Sequence, residues 1–178
     1  MEARDADHGK IFMVTGGVRS GKSTFAESLI SKAPRVVYVA TAVATDEEMR
    51  ARIAEHRARR PAGWETVEEP LDLSRAILTV PREAVLLVDC IGVWVANLLA
   101  GGLTPAEVDG RVEGFLTEIS KRQGPCVAVT NEVGMGVVPA YPLGRLYRDI
   151  LGRVNQQVAA AADMVYLLVC GIPLRIKP

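Results

Sequence analysis

Aromatic side chains make up only 5% of this 178-residue chain, and Lys plus Arg balance Asp plus Glu at 21 each, so the formal net charge is zero. A neutral chain with few aromatics has neither the global field nor the stacking surface that nucleic-acid binding uses, so any anionic ligand has to be held locally. Long hydrophobic runs are absent as well. None reaches the ~18 residues that a membrane-spanning helix needs. The opening residues, MEARDADHGK, carry charge and lack the apolar core and small-residue cleavage site of a secretory signal, so the expected compartment is the cytoplasm. Cysteine occurs three times, as Cys90, Cys126 and Cys170, without C-x-x-C spacing, which argues against a disulfide framework or a zinc site. Each cysteine sits at or inside an apolar run and is expected as a small buried thiol.

What the chain does have is the core material of one domain. Hydrophobic residues make up 49% and charged residues 24%, the balance of a globular protein. Apolar runs recur at Ile11 to Thr15, Val36 to Ala40, Val85 to Val88, Val127 to Thr130 and Met164 to Val169. They show little polar alternation, which suits strands covered on both faces, as in a parallel sheet flanked by helices. Helices are expected between them, over Ser23 to Lys32, Asp46 to Arg60, Thr104 to about Gln123, and Leu143 to Ala162. Thr104 with Glu107 forms a capping box, and Asp46, Glu47 and Glu48 place acids in a first turn, where the helix dipole favours them. Two longer connections, Pro61 to Pro70 and Asn131 to Pro142, are candidate walls of a site.

One motif carries specific chemistry. Gly16-Gly17-Val18-Arg19-Ser20-Gly21-Lys22-Ser23 satisfies G-x-x-x-x-G-K-[ST] directly after an apolar strand and directly before a helix. Glycines let backbone N–H groups converge on phosphate oxygens, and the following helix adds its positive end. Lys22 is expected to reach the β- and γ-phosphates and Ser23 to ligate Mg2+. Asp89, ending the run Val85 to Val88, reads on its own as a turn aspartate as readily as a magnesium partner, and the phosphate loop favours the second reading. The fold class is therefore an α/β P-loop NTPase domain of RecA-like type, three-layered with a mainly parallel sheet, over residues 11–178 behind a flexible leader of residues 1–10. No Asn-Lys-x-Asp guanine tetrapeptide is present, which argues against a switch GTPase.

Histidine is scarce, with only His8 in the leader and His56. By its residues alone, the stretch around His56, with Arg50, Arg52, Arg57, Arg59 and Arg60, is a solvated helix face bearing a surface histidine. Its chemistry allows more. A neutral imidazole attacks phosphorus at physiological pH, and neighbouring guanidiniums both disfavour its protonation and clamp a triphosphate.

The chain resembles, from Ile11 to Lys177, the bifunctional adenosylcobinamide kinase/guanylyltransferase family. The blocks that carry the resemblance are Thr15 to Ser23, Tyr38-Val39-Ala40-Thr41-Ala42, His56-Arg57-Ala58-Arg59-Arg60-Pro61, Val88-Asp89-Cys90 with Asn97-Leu98-Leu99, Thr130 to Pro139, and Gly152-Arg153-Val154-Asn155-Gln156. Where some members have two adjacent histidines this chain has Glu55-His56, leaving one nucleophile. The resemblance implies phosphorylation of adenosylcobinamide by ATP or GTP. GMP is then transferred from GTP, through a guanylylated His56, to adenosylcobinamide phosphate. It also implies Mg2+ as the metal, a homotrimer, and nucleotide contacts at Ala40, Thr41, Ala42, Arg57, Ala58, Arg59, Arg60, Glu68 and Asp89. On sequence alone Glu68 is as readily an exposed loop acid as a guanosine contact. A single-activity P-loop kinase and a nucleotide-binding regulatory protein remain the competing readings; a covalent GMP adduct separates the bifunctional enzyme from the kinase, and binding without turnover on any corrinoid favours the regulatory protein.

Overall fold

The computed structural model describes residues 9–178; His8 and the rest of the leader before Gly9 lie outside them. The order is β1 (Ile11–Gly16), α1 (Lys22–Ile30), β2 (Val36–Ala40), α2 (Glu47–Arg59), β3 (Glu65–Glu68), α3 (Leu73–Thr79), β4 (Val85–Asp89), α4 (Ile91–Ala100), α5 (Pro105–Ser120), β5 (Cys126–Val129), α6 (Pro142–Ala161), β6 (Met164–Val169) and β7 (Ile172–Lys177).

The strands form one sheet in the order β3-β2-β4-β5-β1-β6-β7, with every pairing parallel except the last, β6 with β7. The continuous apolar runs have the cause the sequence suggested. Alternate residues of each central strand enter opposite layers: Ile11 and Met13 pack with Trp94, Phe115 and Leu151, while Phe12 and Val14 pack with Ala26, Ile30 and Tyr38. A strand sandwiched between helix layers has no polar face to show. Helix boundaries follow their caps. Asp46 accepts the Met49 N–H at 2.7 Å, and Thr104 with Glu107 closes the expected capping box. No helix of the described residues is long and apolar enough to cross a membrane.

One expectation is corrected. Cys90 and Cys126 are buried, but Cys170 is exposed. It follows the apolar run of β6 and, with Gly171, turns the chain into the edge strand β7, at φ 52° and 81° respectively. Two consecutive positive φ values make the tight turn that suits an antiparallel hairpin, and such a turn stands in solvent.

Parallel pairing brings the carboxyl ends of β1 to β5 to one edge. Ala40 stands opposite Glu68 on one side and Asp89 on the other, and Asp89 stands opposite Val129. In open sheets of this kind ligands bind outside that edge.

Candidate functional site

The chain between β1 and α1 is shaped to leave backbone donors open. A Cβ on Gly16 would fall 2.6 Å from Ser20 Oγ and 2.7 Å from the Leu168 carbonyl, so the turn closes only around glycine. Gly21, at φ 90°, caps α1 without a side-chain hydrogen bond, and the first turn holds no acid. The orphan N–H groups of that turn therefore point outward with the helix dipole behind them, an arrangement suited to phosphate. Lys22 Nζ donates to the Gly17 carbonyl at 3.0 Å, folded over the loop it serves. Burial pulls the pKa of Lys22 below its ordinary value, against the opposing influence of Cys90 and Asp89. Ser20 Oγ is buried and makes no hydrogen bond among the described residues, whereas Val18 projects into solvent.

Asp89 is the meeting point. Its Oδ2 accepts the Tyr38 hydroxyl at 2.8 Å, and His56 Nδ1 lies 3.6 Å away. Burial of Asp89 pushes its carboxyl up, but His56 beside it, the Tyr38 bond and the Ser23 hydroxyl together hold its pKa below the usual carboxylate range. The side chain of Asp89 is 8% exposed and that of His56 34%, so the imidazole reaches from solvent toward a buried anion. A carboxylate facing Nδ1 favours the tautomer protonated there and leaves the Nε2 lone pair free.

Helix α2 delivers His56. It has no buried residue, and Arg50–Glu47 and Arg52–Glu48 pairs line its outer face. Its last turn is latched at three places. Arg57 pairs with Glu68 at the end of β3, Arg59 reaches Glu27 of α1 at 3.4 Å, and the Arg60 guanidinium stacks 3.6 Å above the Tyr38 ring. Behind this turn opens a cleft of about 330 Å³ lined by Arg57, Arg60, Pro61, Trp64, Thr66 and Glu68. Arg59 also stands 3.5 Å from His56 Nδ1.

Ala40, Thr41 and Ala42 leave the end of β2 beside Asp89. Thr41 is fully buried, and its hydroxyl both donates to the Cys90 carbonyl at 2.8 Å and accepts the Cys90 N–H at 2.9 Å. Asn97 then holds the Thr41 carbonyl at 2.8 Å and that of Pro70 at 3.2 Å. Thr41 thus braces the ends of β2 and β4, and its side chain is not offered to a ligand. The fold brings Lys22, Ser23, His56 and Asp89 together, with Arg57, Arg60 and Glu68 one strand further out; Ala58 lies on the same helical turn. Tyr38, Trp64 and Asn97 are constituents that reasoning from side-chain chemistry passed over. Tyr38 and Asn97 were visible only as members of the quoted sequence blocks.

The oxygen donors Ser23 and Asp89 suit Mg2+, a hard cation that takes few protein ligands and keeps phosphate oxygens and waters for the rest. Among the described residues no group of three or more His, Cys, Asp or Glu is gathered for a softer metal.

A family model described as cobinamide kinase / cobinamide phosphate guanyltransferase matches residues 12–176. The chain belongs to this family. The bifunctional adenosylcobalamin biosynthesis protein CobU of Salmonella typhimurium is 45% identical over 181 residues, covering 94% of this chain and 99% of that protein. CobU of Escherichia coli is 44% identical with the same coverage. CobP of Pseudomonas aeruginosa is 45% identical over 168 residues, covering 93% and 96%. Solved structures carry the fold further than the family. The RadB recombinase superposes with a TM-score of 0.51 at 18% identity over 90% of this chain and 74% of its own. An ATPase of a type III secretion system gives 0.56 at 13% identity over 90% of this chain, which spans about half of that ATPase. The likeness is one of fold, shared by this chain with an ATPase and a recombinase.

Proposed function

We propose that this chain phosphorylates adenosylcobinamide with ATP or GTP and then moves GMP from GTP, through His56, to adenosylcobinamide phosphate, giving adenosylcobinamide-GDP in the cytoplasm. The observation that carries the reading is a histidine held 3.6 Å from the carboxylate that ends β4, beside a complete phosphate loop. A kinase needs the loop, Lys22, Ser23 and Asp89; it has no use for a histidine clamped there by three arginine contacts. A nucleotidyl carrier does.

In the kinase step the loop N–H groups and Lys22 hold the phosphates while charge develops on the transferring group. Bound at Ser23 and Asp89, Mg2+ would neutralise phosphate charge. In the second reaction His56 Nε2 attacks the α-phosphorus, pyrophosphate leaves, and Arg57, Arg59 and Arg60 offset the phosphate charge around the imidazole. Asp89 stabilises the imidazolium-like charge that forms as the bond is made. The cleft behind α2 suits the guanosine, with Glu68 as a hydrogen-bond acceptor for the base and Trp64 as an apolar wall. Mass-shift detection of GMP on the protein after incubation with Mg-GTP tests this directly; a chain that turns over nucleotide without the adduct is a single-activity kinase.

Asp89→Asn keeps the shape and removes the charge. The magnesium concentration needed for half-maximal activity rises about tenfold or more in both reactions, since a charged oxygen ligand and an ion-pair partner vanish together. A magnesium titration that overlays the wild type rejects this role.

We infer a homotrimer for the assembly. Its support is an exposed apolar stretch on the connection after β5, where Met135 is 80% exposed, Val137 94% and Val138 57%. Contiguous apolar surface of this kind marks an interface. The α2 helix and this connection are the surfaces expected to meet a neighbour. Light scattering at working concentration should give three times the chain mass; a monomer there refutes it.

A further inference from the structure

Strand β5 lies between the strand that ends in Asp89 and the strand that opens the phosphate loop. The chain leaves it as Thr130-Asn131-Glu132, a stretch used by no step described so far. This exit is pinned closely. The Thr130 N–H donates to the Val14 carbonyl at 2.9 Å, and the Glu132 N–H donates to the Gly16 carbonyl at 3.0 Å. Asn155 of α6 braces it from below, accepting the Thr130 hydroxyl at 2.7 Å and donating to the Asn131 carbonyl at 2.9 Å. The backbone of Glu132 is therefore fixed beside the first residue of the phosphate loop.

The other carboxylates on this sheet edge are committed. Asp89 serves Tyr38, His56 and Ser23. Glu68 pairs with Arg57. Glu69 accepts the N–H groups of Leu71 and Asp72, each at 2.9 Å. The Glu132 carboxylate takes a single hydrogen bond, from the Gly134 N–H, and pairs with no cation among the described residues. It is half-buried, so it remains accessible to a substrate.

We propose that Glu132 is the general base of the kinase step. The acceptor hydroxyl oxygen forms its bond to the γ-phosphorus as the bond from that phosphorus to the β–γ bridging oxygen breaks. The bridging electron pair leaves with the nucleoside diphosphate, and the hydroxyl proton passes to a Glu132 carboxylate oxygen and then to solvent. The inference rests on the function proposed above and concerns its first reaction only. The two reactions then use opposite flanks of Asp89. His56, Arg57, Arg60 and Glu68 stand toward β2 and β3, and Glu132 stands toward β5 and β1. A carboxylate placed to take the hydroxyl proton is how protein kinases of another fold prepare the same attack.

Glu132→Gln is the test, because a glutamine oxygen still accepts from the Gly134 N–H and holds the loop while losing the capacity to take a proton. Acceptor phosphorylation, followed with adenosylcobinamide and γ-labelled ATP on the whole chain, should fall roughly 100-fold or more in kcat with little change in KM. The melting temperature should hold, and GMP labelling of His56 should proceed. Phosphorylation within a few-fold of the wild-type rate overturns the assignment. So does parallel loss of phosphorylation and GMP labelling in a folded variant, which would make Glu132 a shaper of the loop rather than a base. A wild-type chain that phosphorylates no acceptor overturns the underlying function, and the inference with it, before any substitution is made.

Discussion

His56→Asn should abolish covalent labelling by α-labelled GTP and lower formation of adenosylcobinamide-GDP by several orders of magnitude, as loss of a nucleophile does. Asparagine keeps approximate size and polarity but has no lone pair that attacks phosphorus. The fold should tolerate the change, because α2 contributes no residue to the core and is held at its far end by Arg57, Arg59 and Arg60. Asp89 keeps its Tyr38 bond. Phosphorylation of adenosylcobinamide should persist at least in part, since the phosphate loop, Lys22, Ser23 and Asp89 remain. The wild-type adduct should be lost in acid and survive base, as a phosphorus–nitrogen bond to imidazole does. A variant that still labels, or a wild-type adduct stable to acid, removes His56 from the role of carrier.

The parts of this molecule that could be read from sequence are those fixed by near neighbours. The phosphate loop is a contiguous string whose glycines answer local demands, and the covered strands announce themselves through unbroken apolar runs. The capping box at Thr104 and the acidic start of α2 lie within single turns of their helices. Helix α4 gives no such signal: Ile91, Gly92, Trp94, Val95 and Leu98 are all buried, so no polar face marks its period. Strand order is set by crossovers between distant segments, which no local pattern encodes, whereas β7 at the sheet's edge alternates Ile172, Leu174 and Ile176 with Pro173, Arg175 and Lys177, a period-two signal that went unread. Cys170 misled because the apolar run of β6, paired on both sides, gives no sign of its own that the chain turns just after Val169. Its Cys-Gly pair ahead of a second strand was the overlooked turn signal.

The site divides in the same way. Lys22, Ser23 and Asp89 follow from motif and strand end. The contact between His56 and Asp89 spans 33 residues and exists only because α2 folds back over the ends of β2 and β4. Tyr38 is a sharper case. As the middle residue of a buried strand it reads as core, yet its hydroxyl reaches Asp89, the carboxylate proposed to serve both reactions, and burial carries its phenol pKa well above the ordinary value. It stays a hydrogen-bond donor throughout the working pH range, which keeps Asp89 ionised and oriented.

Lys22→Ala should cripple both activities, and the size of the loss follows from where the ammonium stands. Lys22 now spends its donor on the Gly17 carbonyl, a weak partner that a bound polyphosphate replaces with charged oxygens. In the kinase step those oxygens gain charge as the β–γ bond breaks, so the lysine is worth more in the transition state than in the bound substrate. Removing it should cost kcat on the order of 100-fold or more, a larger factor than the change in nucleotide affinity. The guanylylation of His56 should fall with it if, as proposed, the same loop cradles the pyrophosphate leaving group. Stability should hold, for the side chain fills no core space and its loss leaves only an accessible carbonyl. A thermal melt near the wild type with both rates reduced is the expected pair of results. Unchanged turnover of both reactions would refute the phosphate-loop assignment. A drop in phosphorylation with normal GMP labelling would place the triphosphate of the second reaction elsewhere than on this loop.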